Sequence, residues 1–176
     1  MNQLLFSSLA YLIWALGVTL FINGKMEEKL NEQGVPYSQF ISSPAPFTTL
    51  LWRTVGIHND QYFETYYSLF DGDAPLSVNF YPRKLLLMKG MDQHPPVAKL
   101  EKFTRAYFAM SEINGSIVMT DLRMGSELNY VFQFRVGVLE KTKIIPIKPT
   151  RLQAIRDWSQ LPWLWARIWD PQSQHI

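Results

Sequence analysis

The residues best suited to recognition or chemistry in this chain are Asp121 and Arg123, two positions apart in Val118–Gly125 (VMTDLRMG). An arginine fork beside a carboxylate is a common device for holding a small charged group. Arg53, from an earlier strand, is the expected third member of that binding pocket. The plainer alternative is a solvated turn or an ion pair of modest worth. No catalytic set accompanies them: cysteine is absent, and there is no G-x-S-x-G elbow, Walker A loop or G-x-G-x-x-G. Catalytic residues are therefore unassigned. The three histidines, His58, His94 and His175, share no metal-ligand spacing. His58, Asp60 and Asp71 have suitable ligand chemistry, but turn formation accounts for them more simply. The expectation is that this chain alone binds no metal and no cofactor.

The elements that must position these residues centre on Asn114-Gly115, a strong hairpin signal because a type I′ turn needs positive φ at both central residues. Strands are expected over Arg105–Glu112 and Ser116–Leu122, with the turn Arg123–Asn129 leading into a third over Tyr130–Val138. In that third strand Tyr130, Phe132, Phe134, Val136 and Val138 alternate with Val131, Gln133, Arg135 and Gly137, which predicts one buried face. A second hairpin is expected from Thr48–Ile57 and Gln61–Phe70, with a short strand over Ser77–Tyr81. Arg83–Gln93 reads as helical, and His94-Pro95-Pro96 opens a helix through about Thr104, since proline is tolerated in a first turn. Lys141–Arg156, with Pro146 and Pro149, reads as a loosely ordered crossover.

Leu4–Ile22 is a run of nineteen residues without a charge. As a helix it is about 28 Å long, close to the ~30 Å hydrocarbon core of a bilayer. A secretory signal would show a basic start and a small-residue cleavage site, and neither is present. A transmembrane helix is the expectation. Lys25–Gln33 should continue it as a polar helix that Gly34-Val35-Pro36 stops.

Charge is uneven along the chain: only three of the seventeen Lys and Arg precede Arg83. The last helix, expected over Gln160–Trp169 with Ser159 as its cap, places Leu161, Leu164, Trp165, Ile168 and Trp169 on one stripe and Arg167 opposite. Packed on the sheet, that stripe is core. Alternatively Trp158, Trp163, Trp165 and Trp169, with Arg156 and Arg167, suit the headgroup level of a membrane. No RRM or OB motif points to nucleic acid. The absence of cysteine excludes disulfides.

Four segments also occur in a telling order: Pro46–Arg53 (PFTTLLWR), Tyr62–Asp73 (YFETYYSLFDGD), Phe103-Thr104-Arg105 and VMTDLRMG. Together they resemble the soluble C-terminal region, with the last membrane span, of the bacterial LexA-regulated, membrane-bound inner-membrane metal-dependent hydrolases. The resemblance runs from Leu4 to Trp169. It implies an inner-membrane accessory domain whose partners are the lipid bilayer and a multi-span membrane domain N-terminal to the part matched. The family's His and Asp metal ligands lie in that region, so a divalent metal would be held outside this chain. The alternative is a non-enzymatic, membrane-anchored binding module.

The expected fold is α+β: one antiparallel sheet of about five strands with inserted helices and a C-terminal helix, preceded by one N-terminal transmembrane helix. Its expected segments are a membrane helix (1–24), a juxtamembrane helix and linker (25–47), an α+β soluble domain (48–140) and a basic, Trp-rich end (141–176).

Overall fold

The computed structural model describes residues 2–91 (side chains from Leu5), 93–127, 129–141, 143–153 and 158–173. The chain is α+β, with the apolar N-terminal helix and the C-terminal helix that its sequence predicts. Among the described residues the strands number eight, in two antiparallel four-stranded sheets, where one sheet of about five was expected. The first sheet has the order β1 (Gln39–Pro44), β2 (Leu51–His58), β3 (Gln61–Ser68), β4 (Asn79–Pro82). The second runs β5 (Phe108–Ile113), β6 (Ser116–Asp121), β7 (Gln133–Glu140), β8 (Lys143–Arg151). The helices are α1 (Asn2–Glu32), α2 (Pro95–Thr104) and α3 (Leu161–Trp169).

The chain forms two compact units. Unit 1 draws on the described residues of Met1–Gly56, Glu64–Asn79 and Ser159–Ile176; unit 2 draws on those of Ile57–Phe63 and Phe80–Trp158.

In unit 1, α1 runs unbroken for 31 residues, about 46 Å at the α-helical rise. Val18, Ile22, Met26 and Leu30 are buried, a four-residue repeat that makes one inward stripe. Lys29 is buried with them, donating from Nζ to the Ala74 carbonyl at 2.8 Å. Gly34 and Val35 donate back to Asn31 and Leu30, closing the helix in a Schellman turn at the stop signal read from Gly34-Val35-Pro36. Across β2 and β3, Arg53 Nη2 pairs with Glu64 in a buried ion pair.

A second buried pair fastens α3. Arg167 Nη1 and Nη2 meet the two Asp71 carboxylate oxygens at 2.8 and 2.7 Å, and Nη2 also donates to the Tyr66 carbonyl at 2.8 Å. Asp71 further accepts from Ser68 N, while Ser68 Oγ donates to the Ile168 carbonyl at 2.6 Å. Leu164 and Ile168 then bury against Ala45 and Leu51. This overturns the predicted stripe: Arg167 is buried, and Trp165 and Trp169 are exposed. Nor does Ser159 cap the helix; the cap position is Gln160, without a side-chain bond.

In unit 2 the hairpin turn is as read, with φ of 49° at Asn114 and 71° at Gly115. Period two holds through Phe134 and Val136, both in the core cluster with Met119 and Ile117. Irregularities at Ile117/Val118 and Arg135/Gly137 then shift the register. Leu139 therefore packs against the core in the place expected of Val138. Gly137 sits where a Cβ would stand 2.9 Å from Met91 Sδ, so a side chain there would have to push the buried Met91 aside. α2 begins at Pro95 as expected, whereas Arg83–Gln93 yields only a short 3₁₀ turn, Leu85–Met88. The expected crossover over 141–156 is instead mostly β8, an edge strand, where Pro146 and Pro149 are tolerated.

Arg83 ties unit 2 together. Its guanidinium donates to the carbonyls of Phe108, Asn59 and Ala106 at 2.9, 3.1 and 2.7 Å and lies over the Phe108 ring. Burial pulls its pKa down against the raising effect of Asp60, yet a guanidinium stays charged.

Two outcomes follow for stability, read by urea titration of the full chain in mild detergent. Asp71→Ala should cost about 3–5 kcal/mol, because it strands the Arg167 charge in the interior, and Asp71→Leu with Arg167→Met should restore much of the loss. Met119→Ala, at a fully buried core position, should cost roughly 2–5 kcal/mol, against less than about 0.5 for exposed Arg135→Ala.

Candidate functional site

Asp121 ends β6, and Arg123 opens the connection to β7. The structure brings the two together as a closed fork. Arg123 Nε reaches Asp121 Oδ1 at 2.9 Å and Nη2 reaches Oδ2 at 2.6 Å, while the Arg123 backbone N–H donates to Oδ1 at 3.0 Å. The Asp121 N–H donates to the Phe132 carbonyl, so the fork stands at the neck of the loop. The Asp121 side chain is 2% exposed and that of Arg123 is 23%. The Asp121 hydrogen bond raises the Arg123 pKa and outweighs the cost of its burial. The guanidinium also lies over the Phe103 ring, 5.0 Å from its centre.

Both carboxylate oxygens of Asp121 are thus occupied, which suits a fixed hinge more than a proton acceptor. Arg53, the third residue of the expected pocket, belongs to unit 1, where its recorded ion pair is with Glu64.

The loop beyond the fork holds a polar cluster that the sequence did not reveal. Glu127 Oε2 accepts a hydrogen bond from the Tyr62 hydroxyl and lies 3.4 Å from that of Tyr130. Tyr62 in turn stacks on Tyr81, with centres 5.3 Å apart. Gly125, at φ 111°, packs its α-carbon against the backbone of Asn129 and Tyr130, where a side chain would collide. Tyr62 and Glu127 are 65 residues apart, and no local pattern pairs them.

His58 Nε2 lies 3.0 Å from Asn59 Nδ2 on an exposed turn. His94 precedes α2 without a side-chain cap, and His175 lies outside the described residues. Asp60 accepts from Leu85 N, and Asp71 is engaged by Arg167. Among the described residues, no three His, Asp or Glu side chains are grouped so as to hold a metal ion.

α1 supplies the other candidate surface. From Leu5 to Gly17 every side chain faces outward except Ala15, which is half-buried. By length and composition the helix is able to cross a membrane. No family model, curated protein or solved structure matches the chain.

The fork is tested by a double-mutant cycle. Arg123→Ala leaves a buried carboxylate and should cost more stability than Asp121→Ala, which leaves a half-exposed cation. The double mutant should recover part of the loss, with a coupling of about 1–3 kcal/mol. Strict additivity would show that the pair does not hold the loop.

Proposed function

We propose that this chain is a membrane-anchored binding domain in which α1 is the span and unit 1, which contains it, is held beside the bilayer. The observation that carries this reading is the outward apolar face of α1. A soluble protein does not leave ten large apolar side chains, Leu5 to Phe21, more than a third exposed along one helix. A core helix would bury such a stripe, and here burial is confined to the stripe that begins at Val18.

The narrower reading is an accessory domain of a membrane-bound metal-dependent hydrolase, located in the inner membrane, with its metal centre outside this chain. Its support is the resemblance of the four segments, joined to the work those segments do here. YFETYYSLFDGD contains Ser68 and Asp71, which dock α3, and VMTDLRMG contains the Asp121–Arg123 fork and Gly125. These are structural duties, as an accessory domain requires. The alternative is a binding module with no hydrolase attached, for which the partly exposed Arg123 beside the exposed Phe103 ring is the available contact.

The full chain should pellet with membranes and resist alkaline carbonate, and its recovery as a soluble monomer without detergent would overturn the anchoring. Leu12→Arg should impair insertion, by about 2.5–3.5 kcal/mol on translocon scales. The reading frame upstream decides the narrower question. Further spans carrying a His/Asp ligand set would support the accessory role, and their absence would favour the binding module.

A further inference from the structure

Burial along α1 begins at Val18: among the described side chains, those from Leu5 to Gly17 are outward except half-buried Ala15. The segment Val18–Gly24 is where the outward stretch passes into unit 1. On one side of that segment Leu20 and Phe21 remain exposed; on the other, Val18 and Ile22 are covered within unit 1. If the helix spans, the rim of unit 1 that covers Val18 and Ile22 must stand at headgroup depth.

The contacts along α1 show which rim this is. Gln33 bonds the backbone of Leu76, and Lys29 bonds Ala74. Lys29 Nζ also lies 5.8 Å from the centre of the Tyr67 ring. From Leu76 to Ala74 the loop's partner on α1 moves four residues, about 6 Å, toward the N-terminal stretch. Further down the same loop come Asp73, Gly72, Asp71 and Phe70. Phe70 is 57% exposed and stacks on Trp169, which is itself 57% exposed. Trp165, 65% exposed, meets Trp169 edge-on at 6.2 Å.

Phe47 lies just after Ala45, which packs with Leu164 and Ile168 of α3. Its ring is 84% exposed, and its φ of 62° is a left-handed conformation unusual for a bulky side chain. Water gives no reason to hold these four rings outward. A headgroup layer does, because aromatic rings favour that depth and an indole N–H finds carbonyl and phosphate acceptors there.

We propose that Phe47, Phe70, Trp165 and Trp169 form an aromatic belt that seats unit 1 in the phospholipid headgroup layer of the membrane crossed by α1. This rests on the reading of α1 as a span, and the experiment separates the two. Because the chain has no cysteine, a fluorophore can be attached at one introduced thiol in the full-length protein. Phe70→Cys and Trp169→Cys report the belt, with Trp165→Cys as a second helix position. Leu12→Cys reports the span, and Glu32→Cys the far end of α1.

Each labelled chain is reconstituted into phosphatidylcholine vesicles carrying nitroxide either on the headgroup or at mid-chain. The belt positions should be quenched several times more strongly by headgroup nitroxide, Leu12 by mid-chain nitroxide, and Glu32 by neither. Belt labels as unquenched as Glu32 while Leu12 responds would overturn the belt and leave the anchor standing. A blue-shifted but unquenched belt would also overturn it, because protein rather than lipid would then cover the rings. An unquenched Leu12 would overturn both.

Discussion

The buried pair Arg167–Asp71 decides how the C-terminal end of unit 1 is presented. Two hydrogen bonds join the ions, the Tyr66 carbonyl takes a third donor, and Ser68 links the same turn to the end of α3. A single fork therefore sets the rotation of a nine-residue helix about its own axis. Rotating α3 to bury Trp165 and Trp169 would expose a charge pair built to be dry. Burial makes that pair costly to break, whatever its net contribution to folding. The outward aromatic face is a consequence of where the charges had to go.

α1 works by the opposite logic. The described side chains of its N-terminal part are nearly all exposed, and its C-terminal part is built into unit 1 through Val18, Ile22, Met26 and Leu30. Because one continuous helix carries both the outward apolar stretch and the buried stripe, the proposed anchoring would be coupled to the folding of unit 1. A flexible tether would separate the two. A chain cut at Glu28 would lose Ile22 and Met26, both fully buried, so unit 1 is not simply the remainder after the apolar stretch.

In unit 2, the same economy recurs around Arg83 and the Asp121–Arg123 fork. Arg83 donates to three backbone carbonyls, and among the described residues no carboxylate forms an ion pair with it. The fork stands at the neck of the β6–β7 connection, which carries Glu127 and Tyr130 of the cluster with Tyr62. The buried cations Lys29, Arg83 and Arg167 each fasten backbone carbonyls, while Phe47, Phe70, Trp165 and Trp169 are left on the outside of unit 1.

What the sequence determined by itself is what depends on short range. The α+β class, the apolar helix, the Asn114-Gly115 turn, the Pro95 start of α2 and the stop at Gly34 all follow from local rules of φ, hydrogen bonding and periodicity. The Asp121–Arg123 contact was legible for the same reason, being two residues apart. Tertiary structure alone decided the rest. In α3 two apolar stripes compete about one residue apart, Leu161–Trp165–Trp169 and Leu164–Ile168, and periodicity cannot choose between them. The choice was made by Asp71, 96 residues away, which draws Arg167 inward. The division of the strands into two sheets and the parity change after Val136 were likewise set by long-range pairing. A bulge inverts which face a strand buries, yet leaves the sequence pattern before it untouched.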